Sequence, residues 1–399
     1  MLKIKIENLL PLFDLFFSIT LISGLFYLVC YFDWGAGTQR GLILLILLGL
    51  SYLASKYLFS NGEFGVNKKL VFLLIGVFLI FNIFYIIKNI NAMPVDIGTT
   101  TVSAVNVFWK SGLNPYASPV NPLPDVSSLY PDFFLEGYFY FPATLFIYSP
   151  LVLIFGTKGL YLTNLIFYLL SLFLIFKIGK VIYKDKAISY VAILLFLSFY
   201  LVTSQLFRYG VNDLLPAFFI LFSYYFFLKD EEKWSGLFLG LSIATVWLPG
   251  LLFLVILMPA IKNRERFLSI TFGVVAIFLI PFLLWDYKSL IDSDFILILC
   301  RGEDSTSFLY GLPKIISAVI KGFIFLAFLF FLKKIFESPI SQDKKGIVFR
   351  YIIALVLMSL IIKWGHRNYQ IWAAPFFAIH LASFRLESFK LLKELFRIK

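Results

Sequence analysis

Apolar residues run through this chain in long blocks separated by short polar stretches. Blocks near or above the roughly 17–25 residues that cross a bilayer fall at 10–31, 41–59, 70–87, 158–176, 187–205 and 213–228. More follow near 268–285, 315–332, 348–364 and 370–385. Two further apolar pieces do not fit a simple crossing. Residues 139–156 carry Pro142 and Pro150, and residues 235–261 run too long and break at Trp247-Leu-Pro-Gly250. A hydrocarbon interior offers the backbone no water, so segments this apolar satisfy their own amides as helices. The pattern predicts an all-α polytopic transmembrane bundle of about ten full spans plus two incomplete or hairpin segments. Residues 1–399 are expected to form a single polytopic membrane unit.

Charge decides how the two odd pieces lie. With Lys3 and Lys5 on the cytoplasmic side, Lys68 and Lys69 also fall inside. If 139–156 dips without crossing and 235–261 forms a hairpin, Lys177, Lys180, Lys184 and Lys186 join them. So do Lys262, Arg264, Arg266, Lys333, Lys334, Lys344 and Lys345. Both termini are then cytoplasmic. The N-terminal block is expected to be a retained first span, because its apolar run is long and no small-residue cleavage site follows. Residues 384–399 alternate Phe and Leu with Lys and Arg at helical spacing, as a cytoplasmic interfacial helix on anionic lipid would.

This topology collects the polar residues on the external side. The longest interruption, within 88–157, becomes an external loop with juxtamembrane helices after the third span. It opens with Asp96, continues through Thr99-Thr-Thr101 and Gly112-Leu-Asn-Pro-Tyr116, and ends in Tyr138-Phe-Tyr-Phe-Pro142. Arg208 to Asp213, the 286–314 loop and Trp364-Gly-His-Arg-Asn-Tyr369 emerge on the same side.

Composition narrows the class. A mean hydropathy of +0.90 with 60% hydrophobic residues leaves no soluble block of domain size. The formal charge of +12 lies in short loops, where it sets orientation, so nucleic acid is excluded as a partner. Cys30 and Cys300 lie far apart in sequence and offer neither a disulfide framework nor a metal spacing, and both read as packing residues.

Candidate chemistry therefore rests on the external groups. Asp96 reads alone as a solvated carboxylate; at the mouth of an aromatic-lined loop it can take a proton from an attacking hydroxyl. Asn114 and Tyr116 lie in a turn. Tyr138 and Tyr140 suit either an interfacial aromatic belt or the face of a sugar. Arg208 and Asp213 either pair with each other or separate, leaving Arg208 to clamp a phosphate. His366, Arg367 and Tyr369 offer a second cationic cradle, whereas His380 faces the inner boundary and Lys321 is a weak candidate. Asp292 and Asp294 are a loop pair from which no metal site is built. There is no phosphate-binding glycine loop and no dinucleotide fingerprint.

At these residues the chain resembles the GT-C superfamily of lipid-sugar-dependent glycosyltransferases, and most of all glycosyltransferase family 87. The succession of Asp96, Gly112-Leu-Asn-Pro-Tyr116 and Tyr138-Phe-Tyr-Phe-Pro142 is similar to the family's acidic residue, G-x-x-P-Y element and aromatic-proline cluster. It is also similar to the corresponding succession in the first mannosyltransferase of GPI-anchor synthesis. Trp364-Gly-His366 is similar to a W-x-H-H stretch, with Arg367 in place of the second His. Residues 240–249 resemble a G-x-x-x-A-x-x-K-x-x-P hairpin, with Trp247 near the expected Lys. Two additional spans precede the loop, so the correspondence begins near residue 70.

The resemblance implies transfer of a hexose, mannose above others, from a polyprenyl- or dolichyl-phosphate sugar to an extracytoplasmic glycan or glycolipid. Asp96 would be the general base of an inverting reaction. Arg208, His366 and Arg367 would bind the donor phosphate, and Asn114, Tyr116, Tyr138, Tyr140, Asp213 and Tyr369 the rest of the substrates. No cofactor or metal is expected. The implied site is the outer face of the plasma membrane, with membrane lipids as partners. The competing class is a lipid-linked-sugar flippase or transporter, which would place ionisable groups near the midplane instead.

Overall fold

A computed structural model describes residues 68–120, 137–184, 186–293, 313–337, 344, 346–361 and 370–383. The described residues are helical and contain no strand. In chain order the helices are α1 (Lys68–Asn89), α2 (Asp96–Ser111), α3 (Pro142–Phe155), α4 (Thr157–Tyr183), α5 (Lys186–Ser198), α6 (Tyr200–Phe207) and α7 (Leu214–Leu228). They continue as α8 (Glu232–Thr245), α9 (Trp247–Leu257), α10 (Arg264–Ile291), α11 (Lys314–Glu337), α12 (Gly346–Ile361) and α13 (Gln370–Ser383). Among the described residues four helices are long and apolar enough to cross a membrane, or five if the bent pair α5–α6 counts as one. The expected spans at 10–31 and 41–59, and the interfacial helix at 384–399, lie outside the described residues. The blocks at 213–228, 348–364 and 370–385 form helices of 15, 16 and 14 described residues.

The two odd apolar pieces form short helices, as do three of the blocks expected to span. α3 has 14 residues, about 21 Å at 1.5 Å per residue, against a hydrocarbon core of ~30 Å. Residues 235–261 divide into α8 and α9, with Val246 extended between them at φ −142 and ψ 112. The two pack as a hairpin: a Cβ on Gly250 would lie 2.6 Å from Ile243 Cγ1. α8 also carries Gly236 and Gly240 one turn apart, and a Cβ on Gly240 would meet the Thr271 carbonyl oxygen of α10 at 2.5 Å. Only a residue without a side chain permits that approach, which is how helices pack where lipid competes with apolar contact.

The chain separates into two compact units, one drawn from Met1–Lys88, Leu172–Thr203 and Ala374–Lys399, the other from Asn89–Ser171 and Ser204–Ala373. In the first, α5 and α6 bend by 52° at Phe199. The break needs a donor for a stranded carbonyl. Asn82 supplies it, giving its Nδ2 hydrogen to the Leu197 oxygen at 3.2 Å and accepting from Thr203 Oγ1 at 2.9 Å. Tyr200 donates to the Tyr85 hydroxyl at 3.0 Å, and Tyr183 donates to the Ile379 carbonyl at 3.1 Å.

In the second unit the α7–α8 turn is closed by charge. Asp230, at positive φ, accepts from Lys344 at 2.8 Å and Lys262 at 3.2 Å. Glu232 accepts the amides of Lys262 and Asn263, at 2.8 and 3.1 Å. Asn263 in turn caps α10 through the Arg266 amide.

Two outcomes follow. Asn82→Leu should lower stability by about 1–3 kcal/mol, because it strands the Leu197 carbonyl; the check is a melting curve in detergent. Hydrogen bonds from Lys344, then Lys262, hold the Asp230 carboxyl below its ordinary 3.8. A depressed carboxylate stabilises above its unfolded pKa and loses that contribution as pH falls through the folded value. The melting advantage of wild type over Asp230→Asn should therefore be present near neutral pH and close at strongly acidic pH. For a pair this exposed it should be below about 1 kcal/mol.

Candidate active site

α2 begins at Asp96, directly after an extended Val95. The Val95 amide donates to the Tyr209 carbonyl at 2.9 Å, across more than a hundred residues of chain. The backbones then dovetail. A Cβ on Gly98 would lie 2.7 Å from the Gly210 oxygen and 2.6 Å from Pro94 Cβ, and one on Gly210 would lie 2.5 Å from Pro94 Cβ. Gly210 sits at φ 68, where L side chains are strained. Two glycines and a proline thus set the residue-96 backbone against the 208–213 loop. On that loop Arg208 is exposed, its guanidinium 5.4 Å from the Tyr209 ring centre. Asp213 is 1% exposed at the start of α7.

The threonines after Asp96 face inward. Thr99 and Thr101 return their hydroxyls to the carbonyls of Val95 and Ile97, at 3.1 and 2.9 Å. α2 stops at Gly112, left-handed at φ 65. Asn114 Oδ1 then accepts the Tyr116 amide at 3.0 Å, an Asx turn of the type Asn-Pro favours.

That turn is fastened to the aromatic cluster. The Tyr138 amide donates to the Pro115 carbonyl at 2.9 Å, and the Tyr116 hydroxyl to the Tyr140 carbonyl at 2.6 Å. Rings 116 and 138 lie 5.8 Å apart, rings 138 and 140 5.9 Å. Asn114 is buried, and its Nδ2 has no hydrogen-bond partner among the described residues. The hairpin tip reaches the same place, since Thr144 donates to the Thr245 carbonyl at 3.0 Å. Trp247 follows that tip by two residues.

Three groups that the sequence reading did not single out complete the arrangement. Tyr148 donates to Asn164 Oδ1 at 2.5 Å. Asn164 Nδ2 donates to the carbonyls of Leu206 and Val211, at 3.1 and 3.0 Å. It thus ties the end of α6 to the middle of the loop that carries Arg208. Asn212 bonds toward α2. The available signal was a lone Asn inside the apolar run of 158–176, which a charge-based reading passes over.

Of the expected site residues, the second unit brings together Asp96 (by its backbone), Arg208 and Asp213, and separately fastens Asn114, Tyr116, Tyr138 and Tyr140. His366, Arg367, Tyr369 and Asp294 lie outside the described residues. Asp292 is exposed just past α10. Among the described residues no three His, Cys, Asp or Glu side chains gather as metal ligands would. The arrangement offers hydroxyl and amide groups for a polyol, aromatic rings for its face, and a guanidinium for an anion.

Residues 138–293 match the family model described as Glycosyltransferase family 87. Over that stretch the chain is similar to glycosyltransferase family 87. The matched stretch runs from the aromatic cluster through the 208–213 loop and the α8–α9 hairpin to the end of α10, whereas Asp96 and the 112–116 turn precede it. Among solved structures, ArnT from Cupriavidus metallidurans bound to undecaprenyl phosphate is similar with a TM-score of 0.53 and 14% identity, covering 84% of this chain and 63% of that one. Its apo state gives 0.51 and 16%, covering 81% and 62%. The chain therefore spans just under two thirds of that protein's length, and the likeness shows an ArnT-like helical fold. No curated protein matches the chain.

The Gly98–Gly210 dovetail predicts its own failure. Gly98→Ala places a methyl group against a backbone carbonyl and should cost about 1–3 kcal/mol by overpacking. Thermal melting checks it, with Gly76→Ala, whose Cβ meets nothing within 4 Å, as the comparison expected to change little.

Proposed function

We propose that this chain is a membrane glycosyltransferase that moves a hexose, mannose in our reading, from a polyprenyl- or dolichyl-phosphate donor to an extracytoplasmic glycan or lipid. The likeness to family 87 and to the GT-C-like fold supports the transferase class and the membrane setting. The undecaprenyl phosphate of the ArnT structure supports a polyprenyl-phosphate donor. The observation that carries the reading is the Val95–Tyr209 hydrogen bond, because it fixes the start of the Asp96 helix beside the Arg208 loop.

In the proposed reaction the acceptor hydroxyl gives its proton to the Asp96 carboxylate, and its oxygen attacks the anomeric carbon with inversion. The bond from that carbon to the phosphate oxygen breaks, and its electron pair leaves with the phosphate. The leaving group is already a stable anion, so it needs neutralisation rather than a general acid. Arg208, His366 and Arg367 are assigned that task, without a metal. Tyr138, Tyr140, Tyr116, Asn114, Asp213 and Tyr369 are assigned the sugar and acceptor. The short helix α3 and the α8–α9 hairpin are proposed to wall the groove that admits the prenyl chain. The positive-inside bias supports an outward-facing site in the plasma membrane with both termini cytoplasmic.

Transfer from a radiolabelled polyprenyl-phosphate mannose to membrane glycolipid, by purified protein in nanodiscs, tests this. Asp96→Asn should lower turnover about 10²–10⁴-fold and Arg208→Ala about 10²–10³-fold. Equal turnover by wild type and Asp96→Asn removes Asp96 from the mechanism. Translocation of the lipid without transfer would instead make the chain a flippase.

A further inference from the structure

Asn212 carries a polar group that the reaction above leaves unused. Its side chain is 1% exposed, and its Oδ1 has no hydrogen-bond partner among the described residues. Its Nδ2 donates to Thr101 Oγ1 across a long 3.5 Å. The orientation of the amide follows from the supply of protons. A threonine hydroxyl has one hydrogen, and Thr101 gives it to the Ile97 carbonyl at 2.9 Å. Its oxygen can then only accept, so Asn212 must turn its NH₂ group to Thr101. The amide carbonyl is left as the unpaired end.

A buried acceptor without a donor is costly and uncommon in a folded chain. This one lies two residues beyond Gly210, whose backbone is pressed against Gly98 in the first turn of α2. It therefore belongs to the same few residues that carry Asp96 and Arg208. What it lacks is an O–H or N–H donor, and a sugar presents several hydroxyls.

We propose that Asn212 Oδ1 accepts a hydrogen bond from one ring hydroxyl of the transferred hexose, which makes Asn212 a specificity-determining residue. This rests on the glycosyltransferase reading. The loop is then divided by chemistry: the guanidinium of Arg208 takes the anionic phosphate, and the neutral amide of Asn212 takes the sugar. An acceptor-only contact rewards a hydroxyl and penalises its loss. A substrate without that hydroxyl leaves the carbonyl buried and bare.

The test pairs variants with a series of polyprenyl-phosphate mannose donors, each lacking a different ring hydroxyl. In wild type, one donor of the series should lose about 100-fold or more in kcat/KM. Asn212→Leu should be slower with the full donor and indifferent to that hydroxyl. Thr101→Val, which keeps the Asn212 carbonyl, should retain the discrimination. Where leucine disturbs packing, Asn212→Ala asks the same question by removing atoms only, and gel filtration with thermal melting identifies the folded variants. Losses that are the same in wild type and in the Asn212 variants for every donor overturn the proposal. A wild type that transfers sugar from no donor at all overturns the glycosyltransferase reading, and this inference falls with it.

Discussion

One backbone hydrogen bond, from the Val95 amide to the Tyr209 carbonyl, underlies the site proposed for this chain. Side chains could not make so close a junction. With Pro94, Gly98 and Gly210 interlocked, the first turn of α2 and the 208–213 loop share one backbone surface, and a methyl group at either glycine would collide with it. Everything proposed for the site needs that junction, since Asp96 and Arg208 stand on opposite sides of it. Asn164 reinforces it, bonding one carbonyl before the loop and one inside it.

The same principle recurs wherever a helix is interrupted. In apolar surroundings a carbonyl freed by a break has no water to turn to, and here two of the breaks are met by a polar side chain from elsewhere. Asn82 serves the α5–α6 bend and Thr144 the α8–α9 tip. Tyr351 donates to the Pro249 carbonyl just inside α9 at 3.2 Å, and Ser242 to the Pro216 carbonyl at 3.1 Å. Asn82 and Thr144 are thus joints that let short and bent helices persist. Short helices are what leave the 137–142 cluster and the hairpin tip beside each other.

Much of this was legible in the sequence, because length and hydropathy are local properties. The apolar blocks from 70–87 onward became helices at nearly the expected places, and the break inside 235–261 fell at Val246, but α3 is no shorter than α13, which was expected to span. The turn at Gly112 and Asn114 was legible for the same reason. Long-range pairing was not. Nothing in the order of residues says that Val95 meets Tyr209, or that the Tyr116 hydroxyl finds the Tyr140 carbonyl. Asn164, Tyr148 and Asn212 escaped notice because a single polar residue in or beside an apolar run looks the same whether it braces a loop or simply faces its own helix. Of the three cations assigned to the donor phosphate, Arg208 alone lies among the described residues.

The most direct test of a site built on the 95–209 junction is photolabelling. A polyprenyl-phosphate mannose bearing a diazirine on the sugar, irradiated in nanodiscs, can be mapped by mass spectrometry. The account predicts label on both sides of the junction, in the peptides spanning 94–101 and 208–213, competed away by unmodified donor. Competable label confined to other parts of the chain would contradict it.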